Sequence, residues 1–169
     1  MAELSPINVG DVLPSYKLKN EKDEDVDIAT LTQDKGIVLF AVPKADTPGC
    51  TTQACAFRDN YPDFTKYNFE VYCISHDSPA AQTRWQTKPP GDRARQKELP
   101  YPLLSDPNRV LIAALGAKND AGNTTRSHFI FEKGGRLVDR KLPVTPKDST
   151  DLALESVKAI AAKDYEIAR

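Results

Sequence analysis

Residues 36–42, "GIVLFAV", are apolar without a break, and the run stops at Pro43. It is short for a helix and rich in β-branched residues, so it predicts a strand buried on both faces. Strands of that kind belong to sheets covered by helices on each side. A helix signal follows at once. Thr47 stands in the N-cap position, and Pro48 suits the first helical position, where its missing N–H would be unpaired anyway. The pattern predicts a helix over 48–67 and a second buried strand at "FEVYCIS", 69–75.

The rest of the chain fits around that unit. "VLPSYKL" (12–18) and "VDI" (26–28) flank a polar tip and predict a hairpin. "SPAAQTRWQT" (78–87) predicts a helix capped by Ser78, with Pro79 in its first turn. A Pro-Pro-Gly loop (89–91) and "LPYPLL" (99–104) read as irregular. "DPNRVLIAALG" (106–116) predicts a short helix capped by Asp106 and stopped by Gly116. "HFIFEKGGRLVDRKL" (128–142) alternates on either side of Gly134-Gly135, which predicts another hairpin. Residues 149–165 place Ala153, Val157, Ile160 and Ala161 on one face of a closing helix. The expected class is α/β, with residues 1–169 forming one layered domain: a mixed central sheet, helices on its faces and a β-hairpin at the N-terminus.

Charge and cysteine content narrow the function. The 169 residues carry 23 basic and 24 acidic side chains, a net charge of −1, spread along the chain. That balance argues against nucleic acid or an anionic membrane as partner, and the basic stretch "DRARQKE" (92–98) is interrupted by acids. No stretch approaches the roughly 18 apolar residues of a membrane span, and the start has no signal-peptide pattern. Three cysteines do not make a disulfide scaffold. The expectation is an intracellular protein, cytoplasmic or nuclear, in which any disulfide is transient.

The stretch "PKADTPGCTTQAC" (43–55) carries the chemistry. Cys50 falls at the third helical position, where a capping box would place a carboxylate. Free N–H groups and the helix dipole favour an anion there, so a thiolate is stabilised. The plainer reading stands beside it: free cysteines are usually small, buried and inert. Cys55 adds a constraint. On one intact helix the two cysteines lie about 140° apart around the axis and ~7.5 Å apart along it, which separates their Cα atoms by roughly 8.7 Å. Disulfides need about 4.4–6.8 Å, so these residues can pair only if the first turns unwind. Cys50, Cys55, Cys73 and His76 also have zinc-like spacing, but Cys73 sits mid-strand and the other two diverge around a helix, unlike a zinc knuckle. Cys73 reads as a core residue, His76 as a loop histidine, and His128 receives no role.

The segment "PKADTPGCTTQACAFRDNY" resembles the active-site segment of the peroxiredoxins, specifically the PrxQ or bacterioferritin-comigratory type with its second cysteine five residues after the first. The likeness extends through "VGDVLPSYKL", "FEVYCISHDS", "PLLSDPNRVLIAALGA" and "TTRSHFIFEKGGRL". It implies a thioredoxin-like fold and a thiol peroxidase without metal, haem, flavin or other cofactor. In that resemblance Cys50 matches the peroxidatic cysteine and Cys55 the resolving cysteine that closes an intramolecular disulfide. Pro43, Thr47 and Arg126 match the remaining motif positions. Hydrogen peroxide and alkyl hydroperoxides are the implied substrates, thioredoxin the implied reductant, and a monomer the implied state. A peroxide sensor using the same disulfide is the rival function. Two departures stand out: Val42 where the family often has an aromatic residue, and a stretch rich in Pro and Arg at 85–102.

Magnitudes explain why such a site needs more than a thiolate. Lowering a thiol pKa from ~8.5 to ~6 raises the thiolate fraction at pH 7 about 30-fold. The accompanying loss of nucleophilicity is roughly 13-fold if a Brønsted slope of ~0.45 applies. The remaining acceleration must come from groups that orient the peroxide and stabilise charge on its leaving oxygen. A guanidinium, always charged and carrying several donors, suits that task.

Overall fold

A computed structural model describes residues 4–45, 47–87 and 99–167, with side chains through Lys163 in the last helix. The expected features of the Pro-Pro-Gly loop and of "DRARQKE" lie outside the described residues. Seven strands form one sheet: β1 (Lys17–Asn20), β2 (Asp25–Asp27), β3 (Gly36–Ala41), β4 (Phe69–Ser75), β5 (Leu103–Ser105), β6 (Ser127–Phe131) and β7 (Leu137–Lys141). Their order across the sheet is β2-β1-β5-β4-β3-β6-β7. β4 runs parallel to β3 and β5, whereas β6 pairs antiparallel with both β3 and β7, so the sheet is mixed. The helices are α1 (Pro48–Asp59), α2 (Tyr61–Lys66), α3 (Pro79–Thr87), α4 (Val110–Ala114) and α5 (Asp148–Ile167).

The unbroken apolar run of β3 has a simple cause. Every residue of the strand is buried, and alternate side chains enter two different cores. Val38 and Phe40 face a cluster that includes Phe57, Phe64, Trp85, Tyr101 and Val157. Ile37, Leu39 and Ala41 face a second cluster with Ile28, Leu111, Ile112, Phe129 and Phe131. Gly36 starts the strand where a Cβ would stand 2.4 Å from the Phe69 ring and 2.8 Å from the Phe131 carbonyl oxygen.

On the first face, α1 buries Cys50, Gln53, Ala54 and Phe57, an i, i+3, i+4, i+7 stripe. The Phe57 ring stacks on Phe40 with centroids 4.4 Å apart and planes 7° apart, and Tyr101 meets Phe40 edge-on at 5.5 Å. This stack seats the helix against the strand that precedes it.

Several boundaries differ from expectation. The single helix over 48–67 is two helices divided at Asn60, whose backbone leaves the helical region. Pro62 is the reason: it has no N–H to give to the Arg58 carbonyl, and its ring crowds that turn. Residues 103–105, expected to be irregular, add a short parallel strand beside β4. The predicted helix over 106–116 shrinks to five residues, because Arg109 takes a left-handed φ of 53°. Asp106 still caps it from farther upstream, its carboxylate accepting from the Val110 and Ile112 amides at 2.9 Å each. The N-terminal hairpin pairs 17–19 with 25–27, and Val12 makes only an isolated bridge to Arg136. Gly134 and Gly135, at φ +99° and +96°, turn β6 into β7 as the pattern predicts.

Removing the Phe57 ring tests the seating of α1. Phe57→Ala should lower the unfolding free energy by ~3–5 kcal/mol, as expected for a fully buried aromatic. Urea denaturation measures this; a loss under ~1 kcal/mol would show that the helix is held elsewhere.

Candidate active site

The backbone leaves β3 through a pinned loop. The Val42 amide donates to the Ile74 carbonyl at 3.1 Å, which extends the strand pairing by one residue. The Ala45 amide donates to Asp77 Oδ2 at 2.7 Å. That same oxygen accepts the Ser75 hydroxyl at 2.9 Å, and Ser75 Oγ accepts from the buried Gln82 amide at 3.0 Å. Gln82 gives its second proton to the Leu104 carbonyl. Residues at the ends of β4 and β5 therefore fix the loop that carries Pro43 and Thr47.

Thr47 occupies the N-cap position with extended backbone, but its side chain makes no capping bond. The hydroxyl instead donates to the Lys44 carbonyl at 2.8 Å, and only the Thr47 carbonyl joins the helix, accepting from the Thr51 amide. With its proton so engaged, Thr47 Oγ1 is left as an acceptor. No side chain of Thr47 competes for the first-turn amides near Cys50.

Cys50 is 1% exposed. Arg126 Nη2 lies 3.5 Å from its sulfur, and Nη1 donates to Gln53 Oε1 at 2.9 Å. One guanidinium thus spans a thiol and an amide on the same face of α1. Arg126 is set there by two backbone constraints. It immediately precedes β6, whose Ser127 is in register with Ala41 at the end of β3. Its carbonyl also accepts from the Val144 amide at 3.0 Å.

Gly49 explains the glycine in Thr-Pro-Gly-Cys. A Cβ built there would stand 2.9 Å from Arg126 Nη2 and 3.7 Å from the Pro146 ring. The guanidinium passes over the bare backbone of residue 49 to reach Cys50.

Behind Arg126 lies a buried polar chain that sequence reasoning missed. Gln53 Nε2 donates to Ser149 Oγ at 3.0 Å, and Ser149 Oγ lies 2.8 Å from His128 Nδ1. All three side chains are fully buried. Burial pushes the His128 pKa down to about 4, so the imidazole is neutral near pH 7. One signal was readable: Gln53 is a polar residue at an inward position of an amphipathic helix. Ser149 and His128, distant in sequence, carried none.

Cys55 is half-buried on the same wound helix, and no disulfide joins any of the three cysteines. Two contacts grip the turns between Cys50 and Cys55. Trp85 Nε1 donates to Thr51 Oγ1 at 3.1 Å, and the Tyr101 hydroxyl donates to the Ala54 carbonyl at 2.5 Å. Cys73 is fully enclosed in β4, and burial raises its thiol pKa well above the ordinary value. His76 lies in the bend after β4. Among the described residues no three His, Cys, Asp or Glu side chains gather as a metal site requires.

If Arg126 needs the open space at residue 49, Gly49→Ala should slow oxidation of Cys50 by peroxide ~10-fold or more while leaving circular dichroism unchanged. A rate constant within twofold of the parent, measured by stopped flow, would show that the guanidinium has another path.

The AhpC/TSA family model matches residues 9–140. Peroxiredoxin bcp1 of Schizosaccharomyces pombe is 43% identical over 151 residues, covering 88% of this chain and 73% of the relative. Peroxiredoxin Bcp of Bacillus subtilis is 32% identical over 164 residues, covering 93% and 99%. Among solved structures, Xylella fastidiosa PrxQ superposes with a TM-score of 0.80 at 25% identity, covering 93% of this chain and 99% of that one. The bacterioferritin comigratory protein of Xanthomonas campestris, described with alkyl peroxide reduction activity, gives 0.75 at 25% identity, covering 86% and 92%. The mixed sheet flanked by helices is that of a thioredoxin-like peroxiredoxin fold, and the chain belongs to the AhpC/TSA family, among its Bcp and PrxQ peroxiredoxins.

Proposed function

We propose that this peroxiredoxin, a thiol peroxidase, reduces hydroperoxides with Cys50 as the attacking thiol and Cys55 as the resolving one. The observation that carries the reading is the Arg126 guanidinium, held 3.5 Å from the Cys50 sulfur beside the N-terminus of α1. The Cys50 thiolate attacks the near oxygen of the peroxide, so an S–O bond forms as the O–O bond breaks. The leaving oxygen takes up a proton and departs as water or an alcohol, and Cys50 becomes a sulfenic acid. Arg126 stabilises the charge that moves onto that oxygen. Thr47 Oγ1, its own proton given to Lys44, accepts the O–H of the bound peroxide. Pro43 borders the site without offering a competing N–H.

The Cys55 thiol then attacks the sulfenic sulfur, forming the disulfide and releasing water. An intact α1 holds the two residues too far apart for this, so its first turns open. A thioredoxin-type dithiol reduces the disulfide by exchange, returning both thiols. Hydrogen peroxide and alkyl hydroperoxides are the substrates, the latter in keeping with the activity described for the Xanthomonas campestris relative. The protein acts as a monomer, in the cytoplasm or nucleus; no helix among the described residues is long and apolar enough to cross a membrane.

Two variants separate the cysteine roles. Cys50→Ser should abolish peroxide consumption, whereas Cys55→Ser should react once and stop at sulfenic acid or a higher oxide. A thioredoxin-coupled assay with mass analysis reads both. Sustained turnover by Cys50→Ser would overturn the site; sustained turnover by Cys55→Ser would move the resolving role elsewhere.

Trp85 offers a reporter of the opening, since it is the chain's one tryptophan and is bonded to Thr51 between the cysteines. Oxidation should change its fluorescence, and the amides of residues 49–57 should lose exchange protection while those of β3 keep theirs. Unchanged emission together with a fully protected α1 in the disulfide form would exclude unwinding.

A further inference from the structure

Arg126 has donors and no acceptor, so the Gln53 atom 2.9 Å from Nη1 must be its amide oxygen. That fixes the amide's other end: Nε2 donates to Ser149 Oγ. Ser149 has one proton left to give. No acceptor other than His128 Nδ1, at 2.8 Å, is within its reach among the described residues. His128 therefore accepts at Nδ1 and carries its proton on Nε2. The other tautomer would leave two buried groups unpaired, the Ser149 proton and Nε2, where this arrangement leaves only Nε2. Each group in the chain sets the direction of the next.

We propose that His128 and Ser149 are positioning residues for the peroxide step, acting through Gln53 to hold the Arg126 guanidinium against Cys50. The proposal rests on Cys50 and Arg126 being the reacting pair. If residue 128 cannot accept, the Ser149 proton turns toward Gln53. Two donors then face each other, the amide rotates, and Gln53 offers Nε2 to a guanidinium that cannot accept it. Burial keeps His128 neutral, with Asp139 on the neighbouring strand pulling its pKa up and Lys141 pulling it down.

The test uses His128→Phe, which keeps a ring but removes the acceptor, His128→Asn, whose Oδ1 stands near the position of Nδ1, and Ser149→Ala. Rapid quenching with alkylation and mass analysis separates sulfenic acid formation from disulfide formation. With hydrogen peroxide as probe, His128→Phe and Ser149→Ala should slow the first step ~10-fold or more, leave the second unchanged, and keep circular dichroism intact. His128→Asn should recover the first step to within ~3-fold. Long-range proton–nitrogen NMR of the reduced parent near pH 7 should show His128 protonated on Nε2 alone. Parental peroxide rates in His128→Phe and Ser149→Ala, equal losses in the Phe and Asn variants, or a proton on Nδ1 would each overturn the proposal. Should His128→Phe fail to fold, the smaller truncation Ser149→Ala and the tautomer measurement decide. Cys50→Ser and Arg126→Met, run alongside, report on the site itself: if both keep reducing peroxide, that reading has failed, and if only they lose activity, the relay alone has failed.

Discussion

Arg126 meets Cys50 because β6 pairs with β3 in one register, with Ser127 opposite Ala41 and Phe131 opposite Ile37. Side chains alternate along β6, so Arg126, His128 and Ile130 share the face that carries α1 and α5, while Phe129 and Phe131 fill the opposite core. A slip by one residue would exchange the two sets. It would bury a guanidinium and an imidazole among Ile28, Leu111 and Ile112, and push two phenylalanine rings against α5. The cost of that exchange holds the register, and the register delivers the guanidinium to the end of the strand whose loop delivers the thiol. Packing far from the chemistry thus sets a distance of a few ångströms within it.

The other half of the constraint is backbone. Gln82, Ser75 and Asp77 hold the loop after β3 from the carboxyl ends of β4 and β5, where open α/β sheets gather their functional groups. The loop stays short and bonded, and α1 begins with no side chain spent on its first amides. Peroxide chemistry at a thiol gains little from acidity alone, since a weaker base is a poorer nucleophile. What this arrangement adds is a guanidinium donor already fixed 3.5 Å from the Cys50 sulfur, where the proposed reaction would develop negative charge.

How much of this could be read from the sequence depended on the range of the interaction. β3, β4, the start of α1 and the Gly134-Gly135 turn were legible because their signals are local: an apolar run, a cap, paired glycines. The division of α1 from α2 was equally local, and Pro62 marked it, but the start signal at Thr47 and Pro48 predicts one helix through residue 67. β5 was missed because three residues between prolines and a turn fall below any periodic window. Asp106 was recognised as a cap, yet its reach across a left-handed Arg109 could not be foreseen. At the site, Cys50, Thr47 and Arg126 were expected from resemblance; Arg126 stands 3.5 Å from the Cys50 sulfur, and Thr47 gives its proton to the Lys44 carbonyl. Gln53, Ser149 and His128 stayed hidden because 96 residues separate Gln53 from Ser149. Only the fold makes them neighbours.

The proposed cycle makes two demands of α1 that oppose each other. The first step needs α1 wound, because only then do Cys50 and Gln53 present themselves together to Arg126. The second needs it unwound, because roughly 8.7 Å between Cα atoms exceeds disulfide reach. The contacts at Thr51 and Ala54 lie between the two cysteines and join the helix to Trp85 and Tyr101, whose rings belong to the core rather than to α1. Each bond of this kind contributes about 0.5–1.5 kcal/mol net, so together with the helical bonds they set an opening cost of a few kcal/mol. That is small beside a covalent bond, so the disulfide is not prevented, only delayed. The delay has a chemical consequence. While the helix stays closed, a sulfenic acid at Cys50 remains beside the donor that activates peroxide, and a second peroxide can carry it to the sulfinic state. In the proposed cycle the strength of the grip on Thr51 and Ala54 therefore sets the competition between resolution and over-oxidation, and a firmer core contact at either point favours the latter.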